Sequence, residues 1–333
     1  MMNTRVGRVR WSIAILLAAG IIINYFDRVN LSVAAGPLRQ EFHLSETEWG
    51  IILSSYLWSY ALLQIPVGAM LDRLGIKWLM RVGIIIWSIA CFMTAIVSGF
   101  GLILLSRFLL GIGESPTFPG SSKASGYWFP IKERGVSTSA FDAAAKFASA
   151  LGLPIVALVV TAYGWRSGFW LTGILSLIYA GVFWLLYRNP SESRRLTEGE
   201  HSYIVEGGGQ PEGVGPTKTF TNLGFLLSQK KVWGLTLGFT CYNYAFNLFL
   251  VWLPSYLQNQ LHASVLKSGL YLIIPWLVAT ITDICIGGIL VDRLTRSSND
   301  PSRIRKILFA VGMVLGMAAI GAAFTKDVNV AVT

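Results

Sequence analysis

Asp27 and Arg28 stand side by side in Asn24-Tyr25-Phe26-Asp27-Arg28-Val29-Asn30, near the end of an otherwise apolar run from Trp11 to Val33. A charge at the centre of a membrane helix costs roughly 2.5–3.5 kcal/mol on insertion scales, so such residues usually face a cavity and a partner. Arg107 and Glu114 form a second set in the run Leu102–Phe118, seven residues apart and therefore on one helical face. Arg28 and Arg107 are expected at nearly one depth, which suits an anionic ligand, because a guanidinium group binds a carboxylate through paired donors. Asp27 and Glu114 are the candidate proton carriers. With all four groups ionised the charges cancel; protonating the acids frees the arginines for a ligand carboxylate. Tyr25 and Tyr60 can offer hydroxyls to the same ligand. The competing reading is structural: Asp27–Arg28 and Arg107–Glu114 as static pairs holding helices together.

Other polar groups interrupt apolar stretches. Asp142 and Lys146 are spaced i,i+4, the geometry of an intrahelical ion pair, and the sharper alternative places Lys146 in the cavity as a third cation or a partner for Glu114. Asn243 and Asn247 lie one turn apart in a cluster with Tyr242 and Tyr244, suited to ligand contact or to helix–helix hydrogen bonding. Asp283 is another buried acid to which the sequence gives no partner. His43, His201 and His262 fall in loops without metal-ligand spacing, and Gly111-x-Gly113 lacks the third glycine of a nucleotide fingerprint. Cys91, Cys241 and Cys285 sit at unrelated spacings in apolar spans and read as buried small hydrophobes, with no disulfide framework. No cofactor, metal site or nucleophile–base pair is indicated, so an enzyme is not expected.

These residues need long apolar helices to hold them. Of 333 residues 53% are hydrophobic and 13% charged, a balance that points to an all-α polytopic membrane protein embedded in a lipid bilayer. Nine segments are long enough to span: Trp11–Val33, Trp49–Leu71, Trp78–Val97, Leu102–Phe118, Gly135–Tyr163, Gly168–Tyr187, Trp233–Leu257, Gly269–Leu290 and Ile307–Phe324. The net charge of +10 collects before span one and in every second loop, while the alternate loops carry only Arg39, Arg166 and Lys267. By the positive-inside rule the N-terminus and the basic loops are cytoplasmic. Nucleic-acid binding is not expected, since the charge already has a topological cause.

One polar stretch, residues 188–231, separates a six-helix bundle at 1–187 from about three helices at 232–333. A repeat supports that division: Gly68-Ala-Met-Leu-Asp72-Arg73-Leu closes span two and Gly288-Ile-Leu-Val-Asp292-Arg293-Leu closes span eight. The first copy continues through Gly75, Lys77 and Arg81. Its glycines allow close approach and a tight turn, and its charges can pair across the membrane surface as two bundles rock.

At these residues the chain resembles the major facilitator superfamily, whose cytoplasmic signature is this Gly-x-x-x-Asp-Arg-x-Gly-x-Lys pattern. More narrowly it is similar to the anion:cation symporter family of bacterial sugar-acid carriers. That likeness is carried by Asn24–Asn30, Tyr60–Pro66, Arg107-Phe108, Gly111–Glu114, Phe118-Pro119-Gly120, Trp128-Phe129-Pro130, Leu196–Glu200 and Trp252-Leu253-Pro254. The resemblance implies proton-coupled uptake of a hexuronate, aldonate or aldarate, with sodium left open as coupling ion. It implies anion binding by Arg28 and Arg107 and proton coupling by Asp27 and Glu114. It also implies a bacterial inner-membrane location, and a monomer is expected at full length. The family has twelve helices, so a nine-helix chain reads as one cut short in its second bundle. Charged residues at Asp142 and Lys146 depart from the uncharged polar residues common there and would suit a more acidic substrate. Two rivals remain: a non-transporting remnant or membrane sensor, and a multidrug exporter, which would carry a glycine-rich pattern in span five where only Gly152-Leu153-Pro154 stands.

Overall fold

A computed structural model describes residues 6–212, 219–259, 264–296 and 300–317. Among them the chain is helical, with no strand. Eight helices build the first half: α1 (Val9–Val33), α2 (Ala35–Glu41), α3 (Glu46–Leu74), α4 (Ile76–Ala95), α5 (Phe100–Glu114), α6 (Thr117–Trp128), α7 (Arg134–Tyr163) and α8 (Trp165–Leu186). Then follow α9 (Glu198–Glu206), α10 (Thr219–Ser228), α11 (Lys230–Asn247), α12 (Leu253–Asn259), α13 (Val265–Tyr271), α14 (Ile273–Thr282), α15 (Val291–Arg296) and α16 (Pro301–Gly316). Wide π-type turns join α11 to α12 at Leu248–Trp252 and α14 to α15 at Asp283–Leu290.

Six stretches are long and apolar enough to cross a membrane: Val9–Val33, Glu46–Leu74, Ile76–Ala95, Ile131–Tyr163, Trp165–Leu186 and Leu266–Gly287. The remaining expected spans are broken or extend past the described residues. The run Leu102–Phe118 ends its first helix at Glu114, and α6 resumes after Ser115-Pro116 to carry the chain to Trp128. Lys123, expected in a loop, therefore sits on a helix. Trp233–Leu257 is interrupted by the first π turn, and the last segment is described only to Met317.

Local chemistry sets the helix ends. Ser45 and Glu48 form a reciprocal capping box at the start of α3, satisfying two backbone donors. Gly75 and Gly164, with φ of 78° and 83°, end α3 and α7 in a backbone conformation that side chains resist. Crossing helices then need small residues. A β-carbon on Gly113 would lie 2.5 Å from the backbone nitrogen of Trp87, so α4 and α5 approach as closely as they do only because that carbon is missing.

In packing, α1 lies along α7, while α4 contacts both α5 and α8. The face of α7 away from this bundle meets α13, α14 and the second π turn, which makes α7 the seam with the rest of the chain. At that seam a β-carbon on Gly269 would touch Ala157 and the carbonyl of Leu153, both at 3.1 Å.

The polar stretch 188–231 is less of a loose connector than its composition suggests. Thr197 caps α9, and the fully buried Glu200 accepts from the backbone N–H groups of Val9 and Arg10, each at 3.1 Å, and from the Arg10 side chain at 2.9 Å. Those two N–H groups are orphan donors of the first turn of α1, so Glu200 caps α1 from a distant part of the chain. The backbone N–H of Gln210 donates to Gly126 at 2.8 Å and fastens the following turn as well. The Gly213–Pro216 segment and His262 lie outside the described residues.

At the opposite end, Glu41 accepts from Trp165 at 2.7 Å and from Arg166 at 2.8 Å. The bonds from Arg166 and then Trp165 hold its carboxyl below the usual carboxylate range. A lowered value stabilises the fold above the unfolded value and stops doing so as pH falls through the lowered one. Glu41→Gln should therefore melt below the parent at neutral pH, with the gap closing under strongly acidic conditions. Melting curves across pH check this; a gap independent of pH would contradict it.

Candidate anion-binding cavity

The two arginines expected at one depth do meet. Arg28 on α1 and Arg107 on α5 line one cavity with Ser32, Tyr56, Asn247 and Leu250, drawing on α1, α3, α5, α11 and the first π turn. Their partners are not those of the competing static-pair reading. Arg28 pairs with Glu114 at 3.2 Å across the α1–α5 gap, and Glu114 is wholly buried. The Tyr56 hydroxyl donates to the same carboxylate oxygen at 2.6 Å. Asp27 does not pair with Arg28. It is 1% exposed and turned toward α4 and α8, accepting from the Cys91 thiol at 3.1 Å and the Ser176 hydroxyl at 3.5 Å. It does not line the cavity.

Arg107 does not bond Glu114 either. Its Nη2 donates to Thr94 at 2.8 Å, and its guanidinium lies 5.4 Å from the Phe169 ring. Three tyrosine rings surround the Arg28 guanidinium: Tyr25 at 4.5 Å, Tyr60 at 5.1 Å and Tyr56 at 5.2 Å. Such contacts favour a desolvated cation. Thus Tyr25 and Tyr60 present their rings to Arg28. Tyr56, absent from the sequence-derived set, contributes most directly. It stacks on Tyr60 at 5.7 Å, one turn away.

The cavity is chemically unfinished. Arg28 Nη2, Arg107 Nε and Glu114 Oε1 are buried and have no hydrogen-bond partner among the described residues. Unmade bonds of buried charged groups are costly. Two of these three atoms are donors on residues lining one space, which fits an arriving anion.

Lys146 binds Asp142 at 2.5 Å, the expected intrahelical pair, and also Asp283 at 2.9 Å across the seam. It does not reach Glu114 and is not among the cavity-lining residues. Asp283, partnerless in the sequence, is thereby assigned to Lys146. Asn247 lines the cavity, while its Nδ2 donates to the Asn243 carbonyl at 2.9 Å; Asn243 itself does not line it.

In the signature segment Gly75 makes the expected tight turn, but nothing lies within 4 Å of a β-carbon placed on Gly68, so no close approach occurs there. Asp72 pairs with Lys123 of α6 at 2.5 Å, Lys77 with Glu192 at 2.8 Å, and Arg81 donates to the Trp184 carbonyl at 3.0 Å while lying over that indole. All three tie parts of the first half and its connector together. Arg73 is exposed, as is Arg293 on α15, and the Asp292 side chain lies outside the described residues. Cys91 is buried as expected, but Cys241 and Cys285 are exposed on outward helix faces.

The sequence model of the Major Facilitator Superfamily matches residues 17–332. An uncharacterized transporter of Bacillus subtilis is 41% identical over 98% of this chain and 75% of its own length. A probable L-galactonate transporter of Escherichia coli is 35% identical over 99% of this chain and 71% of its own. A probable galactarate/D-glucarate transporter of Escherichia coli is 30% identical over 97% of this chain and 76% of its own. Among solved structures, an inward-facing, unoccupied bacterial homolog of the human lysosomal transporter Spinster matches with a TM-score of 0.70 at 19% identity. That match covers 97% of this chain and 72% of the other.

Proposed function

Because this chain belongs to the Major Facilitator Superfamily, we propose that it takes up a sugar acid together with protons by alternating access. It is a membrane transporter and not an enzyme, and its relatives include carriers of sugar acids and other organic anions. The single observation that carries the anion reading is the buried Arg107 and the partly buried Arg28 on one cavity, each with an unmatched N–H donor.

Coupling follows from who pairs with whom. Glu114 holds Arg28, so a proton on Glu114 releases that guanidinium to a substrate carboxylate. Asp27 sits behind the cavity, bonded by the neutral Cys91 and Ser176 and close enough to Arg107 to feel its charge, so protonating it acts on the contact between α1, α4 and α8 and on Arg107. Substrate and protons together neutralise the interior, and a neutral interior closes more readily within the membrane.

The two moving units are residues 1–187 and 232–333, joined by 188–231. The duplicated Asp-Arg segments at Asp72-Arg73 and Asp292-Arg293 support that division. The alternating placement of basic loops supports a cytoplasmic N-terminus in a bacterial inner membrane. At full length the working unit is a monomer.

The test is ligand-induced thermal stabilisation of the purified chain across hexuronates, aldonates and aldarates at mildly acidic and mildly alkaline pH. Stabilisation by at least one sugar acid, stronger at the lower pH, is expected. Silence toward every sugar acid would overturn the substrate class, and a response to sodium instead of pH would replace the coupling ion.

A further inference from the structure

We propose that Ser32 is a ligand-binding residue of this cavity, taking a hydroxyl on one of the two carbons next to the carboxylate and so favouring hydroxy acids over plain ones. The inference rests on the sugar-acid reading above. Besides Arg28, Arg107 and Tyr56, the polar residues on the cavity wall are Ser32 and Asn247, and the rest of the lining is leucine. Tyr56 gives its proton to Glu114, and the amide N–H of Asn247 goes to the Asn243 carbonyl. The arginines only donate. Ser32 is left with its hydrogen-bonding capacity unspent: the residue is 2% exposed, and its hydroxyl has no partner among the described residues.

A hydroxyl within a helix commonly returns its proton to a carbonyl of the preceding turn. Ser55 and Ser59 on α3 and Ser106 on α5 do so, at 2.8, 3.0 and 2.7 Å. Ser32 does not, so the cavity wall carries a buried hydroxyl that costs free energy until something pairs with it. Spacing decides which part of a ligand that is. Ser32 follows Arg28 by four residues, so both project from one face of α1, about 6 Å apart along its axis. A carboxylate held by Arg28 and Arg107 therefore brings the first carbons of its chain to Ser32. A hydroxyl there has a proton to give and lone pairs to offer. Serine can answer either, and the leucines around it can answer neither. A plain carboxylic acid fills the same space and leaves Ser32 unmatched.

The test measures the affinity of the purified full chain for gluconate and galactonate and for their 2-deoxy and 3-deoxy forms. Calorimetric titrations compare the parent with Ser32→Ala and Ser32→Cys. Ser32→Ala is expected to bind an aldonate about 3–10-fold more weakly, the worth of one neutral hydrogen bond. Ser32→Cys keeps the volume but offers only a weakly bonding sulfur, and should lose nearly as much. In the parent, the deoxy form that lacks the hydroxyl taken by Ser32 should be weakened by a similar factor and lose nothing more in Ser32→Ala. Parent-like aldonate affinity in either variant, or an equal further loss for the aldonate and both deoxy forms in Ser32→Ala, overturns the role of Ser32 while leaving the sugar-acid reading intact. Failure of the parent to bind either aldonate overturns it too. Silence across the wider panel as well removes the reading itself and the inference with it.

Discussion

Arg28→Ala is expected to abolish sugar-acid binding and to lower the melting temperature at the same time. Arg28 bonds the buried Glu114 and lies against three tyrosine rings, so its loss strands a carboxylate that retains only the Tyr56 hydroxyl. Removing one partner of a buried ion pair costs about 3–5 kcal/mol, far more than an exposed pair contributes. Arg28→Lys separates the two consequences. It restores a positive charge and hence most of the stability, but not the fork that grips a carboxylate or the plane that stacks on the rings. Binding in Arg28→Lys should fall ~10–100-fold, the worth of one charge-assisted hydrogen bond. Calorimetric titration beside melting curves checks both, and parent-like affinity in Arg28→Lys would contradict the assignment.

Glu114→Gln is expected to uncouple anion movement from protons. The amide preserves the shape and can still accept from Tyr56, yet it can neither neutralise Arg28 nor carry a proton. Anion binding should become insensitive to pH across the mildly acidic to neutral range, because the competitor of the substrate for Arg28 is gone. Net uptake driven by a proton gradient should be lost, while exchange of labelled for unlabelled anion persists. Reconstituted vesicles measure the two fluxes side by side. Gradient-driven accumulation in Glu114→Gln equal to that of the parent would show that another group carries the proton.

Helix geometry explains which parts of this site could be read in advance. Arg28 and Arg107 were placed at one level by counting along two oppositely directed spans, and both line the cavity. The static pairs of the competing structural reading are absent for reasons already present in the periodicity. Neighbouring residues on a helix are about 100° apart, so Asp27 and Arg28 face different partners. Arg107 and Glu114 share a face but lie about 10 Å apart along the axis, too far for a direct bond. Tyr56 was legible too, as the residue one turn before Tyr60 on the same face. The bond of Asp283 to Lys146 was not: it joins residues 137 positions apart, and no periodicity within either helix relates them. Nor did composition reveal α9. Glu198-Gly199-Glu200 reads as solvated loop until the first turn of α1 supplies donors for Glu200.

That capping contact shortens the leash between the two units proposed above to move against each other. From Arg188 to Gln210 the chain is fastened to the first half, since Lys77 holds Glu192, Glu200 holds α1 and Gln210 holds Gly126. Glu212 is fastened too, accepting from the backbone N–H and from the hydroxyl of Ser191, each at 2.7 Å. A short connection keeps joined bodies at effective concentrations on the order of millimolar. Encounter between the faces of the two units is then nearly free of concentration dependence, and their rate of closing is left to local chemistry at the seam and the cavity. With the two units proposed above, lengthening the chain just after Glu212 dilutes one with respect to the other, while an insertion before α9 would loosen α1 without adding reach.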